Sequence, residues 1–162
     1  MKKIVIIPAF NESASIVNTV KDIEENSEGF DYIIINDRST DNTLDVCRKN
    51  RLNVLDLPLN LGIGGAVQTG YWYAYENGYD IAVQFDGDGQ HDAKYLNTMA
   101  EHLTKHKLDM VIGSRFITNE GFQSSGARRM GIKYFTFLKF VVNYMFIQEI
   151  CLNNKNRKKF KR

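Results

Sequence analysis

"DIAVQFDGDGQHD", residues 80 to 92, ends an apolar run on two carboxylates separated by a single glycine. Residues two apart in an extended chain project to the same side, with alpha carbons about 6.6 Å apart. Asp86 and Asp88 therefore share one face, and Gly87 and Gly89 let the chain turn so that the carboxylates converge. Like charges this close repel unless something positive sits between them. Hard oxygen donors in that number suit Mg²⁺ or Mn²⁺, ions that keep several waters and are completed by substrate phosphates. A solvated Asp-Gly turn is the alternative, because such turns are common.

The run that leads into this stretch, "IAVQF" (81 to 85), is one of five. The others are "KIVIIP" (3 to 8), "YIIIN" (32 to 36), "NVLDL" (53 to 57) and "DMVIG" (109 to 113). Segments long enough for helices lie between them, over roughly 15 to 50 and 63 to 107 with breaks. Near-continuous apolar strands alternating with helices predict an α/β fold, a mostly parallel Rossmann-like sheet covered on both faces. The polar and glycine-rich segments fall after the apolar runs: "AFNES", "NDRSTDNT", "PLNLGIGG" and "DGDGQHD". In an open α/β sheet the carboxyl ends of parallel strands line one edge, where ligands bind. Four loops should thus meet at one crevice.

At 162 residues the chain suits one domain with a sizeable core. A net charge of +2 gives no reason to expect nucleic acid as a partner. Two cysteines without a CxxC pair argue against a disulfide framework and a structural zinc site, and fit a reducing cytoplasm. "MKKIVIIPAF" has the opening of a signal peptide but passes through Pro8 into Asn11 and Glu12, so it reads as a first strand. No run of about 20 apolar residues predicts a membrane span.

In "NDRSTDNT", Asp37 ends a buried strand and can accept hydrogen bonds from a base or ribose, whereas Asp41 reads as the N-cap of a helix starting near Asn42. The glycines at 62, 64, 65 and 70 open a helix whose free N–H groups suit a phosphate. Their spacing is not that of a P-loop, which disfavours a nucleotide hydrolase. His102 and His106 lie four apart in "HLTKH" without the metalloprotease glutamate, and read as an exposed helical face. Tyr71, Trp72, Tyr73 and Tyr75 read as packing a helix on the sheet. Arg115, Arg128 and Arg129 carry planar guanidinium groups suited to phosphate.

Taken in order, "VIIPAFNE", "IINDRSTDNT", "NLGIGGAVQTG", "QFDGDGQHD", "IGSRF" and "GARRMG" resemble a family 2 glycosyltransferase of the GT-A fold, on the branch of polyprenyl-phosphate sugar transferases. The resemblance implies an inverting, metal-dependent transfer of sugar from a nucleotide-diphosphate donor to a polyprenyl phosphate or a glycan. It implies that Pro8, Ala9, Phe10 and Glu12 cradle the nucleoside, that Asn36 and Asp37 lie at the base, and that Gly62 lines the nucleotide pocket. Asp86 and Asp88, with Gln90, would bind Mg²⁺ or Mn²⁺. Arg115 and Arg128 or Arg129 would meet the donor diphosphate or an acceptor phosphate.

Two departures stand out. Asn36 and Arg38 occupy positions where the family often has Asp and Gly. After "KYFTFLKF" the family continues with an acidic-Pro-Thr-Ser-Gly-Phe-Arg segment, whereas here "CLNNKNRKKFKR" follows. The expected organisation is a nucleotide-sugar-binding domain over 1–130, an apolar helix over 131–152 and a basic tail over 153–162. Thr136, Lys139 and Asn143 form a narrow polar stripe on that helix, and six of the last eight residues are Lys or Arg. Such a pattern suits peripheral contact with the cytoplasmic face of a membrane, a buried helix with a solvated tail being the alternative. The resemblance also implies a chain shortened at its carboxyl end, which keeps a catalytically silent nucleotide-sugar-binding subunit as the competing function. A phosphatase-like enzyme with a nucleophilic aspartate ranks lower, because its aspartate pair follows the first strand.

Overall fold

A computed structural model describes residues 1–89 and 91–113 of the chain. The chain divides into two compact units, Met1–Thr104 and Lys105–Arg162. The expected boundaries near 130 and 152, the apolar helix and the basic tail lie outside the described residues.

The first unit alternates strand and helix: β1 (Lys3–Ala9), α1 (Ile16–Asn26), β2 (Phe30–Asn36), α2 (Thr43–Lys49), β3 (Val54–Asp56), α3 (Gly62–Glu76) and β4 (Ile81–Gln84); α4 (Tyr95–Lys105) then runs to its boundary. The four strands form one parallel sheet in the order β3-β2-β1-β4. Side chains of β1 alternate between the two faces, as the period of two demands. Val5 and Ile7 join Ile16, Val20, Ile23, Cys47, Phe85 and Leu96 on the face covered by α1, α2 and α4. Ile4 and Ile6 join Ile33, Ile35, Leu57, Ala66 and Ala74 on the face covered by α3. Helices on both faces of a parallel sheet are the arrangement expected from the sequence.

Small residues let α3 approach closely. Ala66, Gly70 and Ala74 are its buried residues, spaced four apart, and a methyl group built on Gly70 would fall on the Ile6 side chain. Trp72 lies two residues from both Gly70 and Ala74, hence about 200° around the helix from each. It is 61% exposed, so the expectation that it packs on the sheet is wrong. Tyr71 and Tyr73 do pack against that core.

Two further expectations are corrected. β3 spans three residues rather than five: Leu57 still donates its N–H to the Asn36 carbonyl of β2, but Pro58 has no N–H with which to extend the ladder. Residues 109–113 form no strand. An apolar run becomes a strand only where a neighbour takes its hydrogen bonds and its side chains are covered, and Met110 and Ile112 stay 62% and 77% exposed.

Candidate functional site

Because all four strands are parallel, the segments after β1, β2, β3 and β4 emerge at one edge of the sheet. A cavity of about 280 Å³ opens there. Pro8, Ala9, Phe10, Glu12, Asp37, Asp86 and Asp88 line it, and Ile63, Ala66, Gln84 and Gly87 complete the wall. Three loops thus bring four carboxylates to one hollow, and no Lys or Arg among the described residues lines it. Both aspartates of the opening stretch face the same space.

Asp86 is held from two sides. Gln84 donates its side-chain N–H to Oδ1 at 3.2 Å, and His91 Nε2 lies 3.2 Å from Oδ2. The imidazole also tilts against the Phe85 ring, with centroids 5.3 Å apart. Gly87 is buried beside the end of β1, where an added methyl would press on the Pro8 carbonyl oxygen at 3.3 Å. Gly89 has a φ of +73°, a left-handed turn that a side chain would strain.

Among the described residues no group of three His, Cys, Asp or Glu is gathered to hold a metal ion unaided. Two carboxylates sharing a cavity fit a hard divalent ion that takes the rest of its shell from phosphate and water. Gln90 lies outside the described residues, as do Arg115, Arg128 and Arg129.

Asp37 is only 3% exposed. Its Oδ1 accepts the Leu61 N–H at 2.6 Å and its carbonyl accepts the Asn60 side chain at 3.0 Å, so it fastens the β3–α3 loop while lining the cavity. Asn36, 1% exposed, lies outside the cavity wall. Its Nδ2 donates to Asp56 Oδ1 at 2.6 Å, and its Oδ1 accepts the Ser39 hydroxyl. Asp56 is its register partner across the sheet, so an aspartate at position 36 would face a like charge where the amide offers a donor. Gly62 also lies outside the wall; it starts α3 with a φ of +73°.

Asn11 organises the β1–α1 loop. With a φ of 61° it takes a left-handed conformation that asparagine tolerates. Its Oδ1 accepts the N–H groups of Thr40 and Asp41, at 2.8 and 3.2 Å, and its own N–H donates to Ser39 Oγ. Its partners lie some thirty residues on, beyond the reach of any local sequence signal.

Asp41 does cap α2, one residue further upstream than expected. The helix starts at Thr43 with Asn42 at the N-cap position, and Asp41 Oδ1 accepts the Thr43 N–H at 2.9 Å. Partial desolvation pushes its pKa upward, but hydrogen bonds from Thr43 and Ser13 outweigh that and lower it to about 2. A carboxyl depressed from 3.8 stabilises the fold fully above that value, and the contribution disappears as pH falls through about 2. Asp41→Asn should therefore show a shallower loss of stability between pH 4 and about 2; equal slopes in urea unfolding across that range would disprove the capping role.

His102 and His106 are both exposed, as their spacing suggested. No helix of the described residues is long and apolar enough to cross a membrane.

Residues 4–158 match the family model described as glycosyl transferase family 2. UDP-N-acetylglucosamine–dolichyl-phosphate N-acetylglucosaminyltransferase of Methanococcus voltae is 30% identical over 154 residues, covering 82% of this chain and 61% of its own. Undecaprenyl-phosphate mannosyltransferase of Micrococcus luteus is 32% identical, over 71% of this chain and 49% of its own. The chain therefore spans only about half to three fifths of these relatives. Among solved structures, S. aureus TarS 1-349 in complex with UDP-GlcNAc superposes with a TM-score of 0.61 at 24% identity, over 77% of this chain and 38% of that one. Mannosyltransferase PcManGT from Pyrobaculum calidifontis, in complex with GDP-Man and Mn²⁺, reaches 0.55 at 22% identity, over 63% and 32%. These structural likenesses show the GT-A fold.

Proposed function

This chain belongs to glycosyltransferase family 2, and we propose from that premise that its acidic cavity binds a nucleoside-diphosphate sugar and passes the sugar, with inversion, to a polyprenyl phosphate. One observation carries the reading. Four carboxylates line one hollow, and no lysine or arginine among the described residues lines it, so a divalent cation between these carboxylates and an anionic diphosphate would offset their repulsion. The solved relatives that hold UDP-GlcNAc or GDP-Man with Mn²⁺ support the ligand class, and the relatives named for dolichyl and undecaprenyl phosphate support the acceptor.

In this mechanism Asp86 and Asp88, with Gln90, would hold Mg²⁺ or Mn²⁺, whose chemistry when bound is to offset charge developing on the leaving diphosphate. Pro8, Ala9, Phe10, Glu12 and Asp37 orient the nucleoside against the end of β1. An acceptor oxygen forms the new bond to the anomeric carbon as the bond to the diphosphate oxygen breaks on the opposite face, and a single displacement inverts that carbon. A lipid phosphate is already ionised at neutral pH, so its oxygen attacks without a general base. Arg115, Arg128 and Arg129 are assigned to the diphosphate or the acceptor phosphate on their chemistry alone. The apolar stretch and basic tail would hold the chain at the cytoplasmic face of the membrane that carries the acceptor.

A panel of sugar nucleotides, each screened by thermal unfolding with and without Mn²⁺, tests this. Ligand at a hundredfold excess over Kd should raise the midpoint by about 5–10 °C for a chain of this size. No shift with any donor would refute the reading. A shift without sugar transfer to a polyprenyl phosphate would leave a nucleotide-sugar-binding subunit, the second reading.

A further inference from the structure

Helix α1 lies beneath the turn that carries the aspartate pair, and two of its side chains reach that turn. Thr19, 2% exposed, donates its hydroxyl to the Gly87 carbonyl at 3.1 Å. A methyl group added at Gly89 would come within 4.0 Å of the same hydroxyl, so both glycines flanking Asp88 lie near Thr19. Asp22 accepts the N–H of Ala93, a fully buried residue, at 3.0 Å through Oδ2. Its Oδ1 is held by Asn26 Nδ2 at 2.9 Å, which fixes the carboxylate. Thr19 and Asp22 are three apart on a helix, hence on one face.

A threonine inside a helix ordinarily returns its hydroxyl to the carbonyl four residues back. The Ser15 carbonyl stands 3.2 Å away for that purpose, yet the Gly87 carbonyl is slightly nearer, at 3.1 Å. One hydroxyl hydrogen is thus shared between the helix and a loop 68 residues on. Gly87 is buried, and a buried carbonyl without a donor is costly. Asp22 spends a half-buried carboxylate on one backbone amide, 71 residues away in sequence.

We infer that Thr19 and Asp22 are positioning residues: α1 grips the chain at Gly87 and at Ala93, on either side of Asp88, and so keeps Asp86 and Asp88 turned into one cavity. Neither side chain lines the cavity; each acts through the backbone it holds. The role rests on the donor reading above, since it matters for metal only if the pair holds one.

The test uses the full chain in four variants. Thr19→Val and Asp22→Ala remove the two bonds; Thr19→Ser and Asp22→Asn keep a hydroxyl and a carbonyl-type acceptor in place. Amide hydrogen exchange and calorimetric titration of a sugar nucleotide, with and without Mn²⁺, are measured on each. In the first two variants, exchange at Gly87, Asp88 and Gly89 should quicken about tenfold, as expected for one lost buried hydrogen bond, while the amides of β1 and β2 hold their rates. Donor affinity in Mn²⁺ should fall by a similar factor with metal-free affinity unchanged, and the two conservative variants should resemble the parent chain. Equal losses with and without Mn²⁺, or conservative variants as impaired as the others, would overturn the positioning role while leaving the donor reading intact. A parent chain that binds no sugar nucleotide in either condition overturns the donor reading, and the positioning role with it.

Discussion

Asp88→Ala should weaken sugar-nucleotide binding in Mn²⁺ by about 100-fold or more while leaving the weaker metal-free binding nearly unchanged. Removing residues that merely support a metal ligand costs about 10–100-fold in metal affinity, so removing a ligand should cost at least as much. Asp88 is exposed at the cavity mouth, so its truncation creates no buried void and should change stability little. Asp86→Ala should also weaken the Mn²⁺-dependent binding, and it frees the Gln84 amide and the His91 ring that Asp86 engages. Isothermal titration with and without Mn²⁺ decides the matter. An unchanged Mn²⁺-dependent affinity in Asp88→Ala would remove the metal from the aspartate pair and return it to the status of a solvated turn.

The second large effect concerns the fold. Gly70→Ala gains about 1 kcal/mol from helix propensity, but the new methyl group meets Ile6, which is fully buried in the central part of β1. Overpacking of that kind costs about 1–3 kcal/mol, and Ile6, branched at Cβ, has little rotameric freedom to yield. The clash should win: a net loss of up to about 2 kcal/mol for alanine and more for valine, seen as a lower urea midpoint. Ile6→Ala alone should cost about 2–5 kcal/mol through the cavity it leaves. The double variant should lose less than the sum, because the new methyl group then occupies space that Ile6 vacated. Strict additivity would mean that α3 and β1 do not meet at this point.

The site-bearing edge was legible in the sequence because it is coded locally. A strand is a short apolar run, a parallel sheet exposes its carboxyl ends together, and the polar segments after four such runs had to meet. Asp37, Asp86 and Asp88, singled out on that basis, line one cavity together with Pro8, Ala9, Phe10 and Glu12, which the family resemblance implied. Asn36 and Gly62 do not, and the reason differs for each. Asn36 is turned to Asp56, a partner that only strand pairing brings beside it. Gly62 supplies a left-handed turn into α3 rather than a wall of the cavity. Trp72 shows the same limit from the other side. Aromatic character suggested burial, but helical phase relative to Gly70 set its exposure, and that phase depended on which residues were small enough to touch β1.

Sequence alone determined the alternation of strand and helix, the edge at which the loops after the strands gather and the pairing of Asp86 with Asp88, since each follows from chain periodicity over a few residues. Tertiary structure alone decided how each polar group is used: Asn36 on Asp56, Asn11 on the β2–α2 loop, Thr19 on Gly87 and Asp22 on Ala93. It also left residues 109–113 without a strand. The physical reason is common to all of these. A hydrogen bond or a strand needs a partner, and these partners lie tens of residues away, where only the folded chain brings them within 3 Å or so.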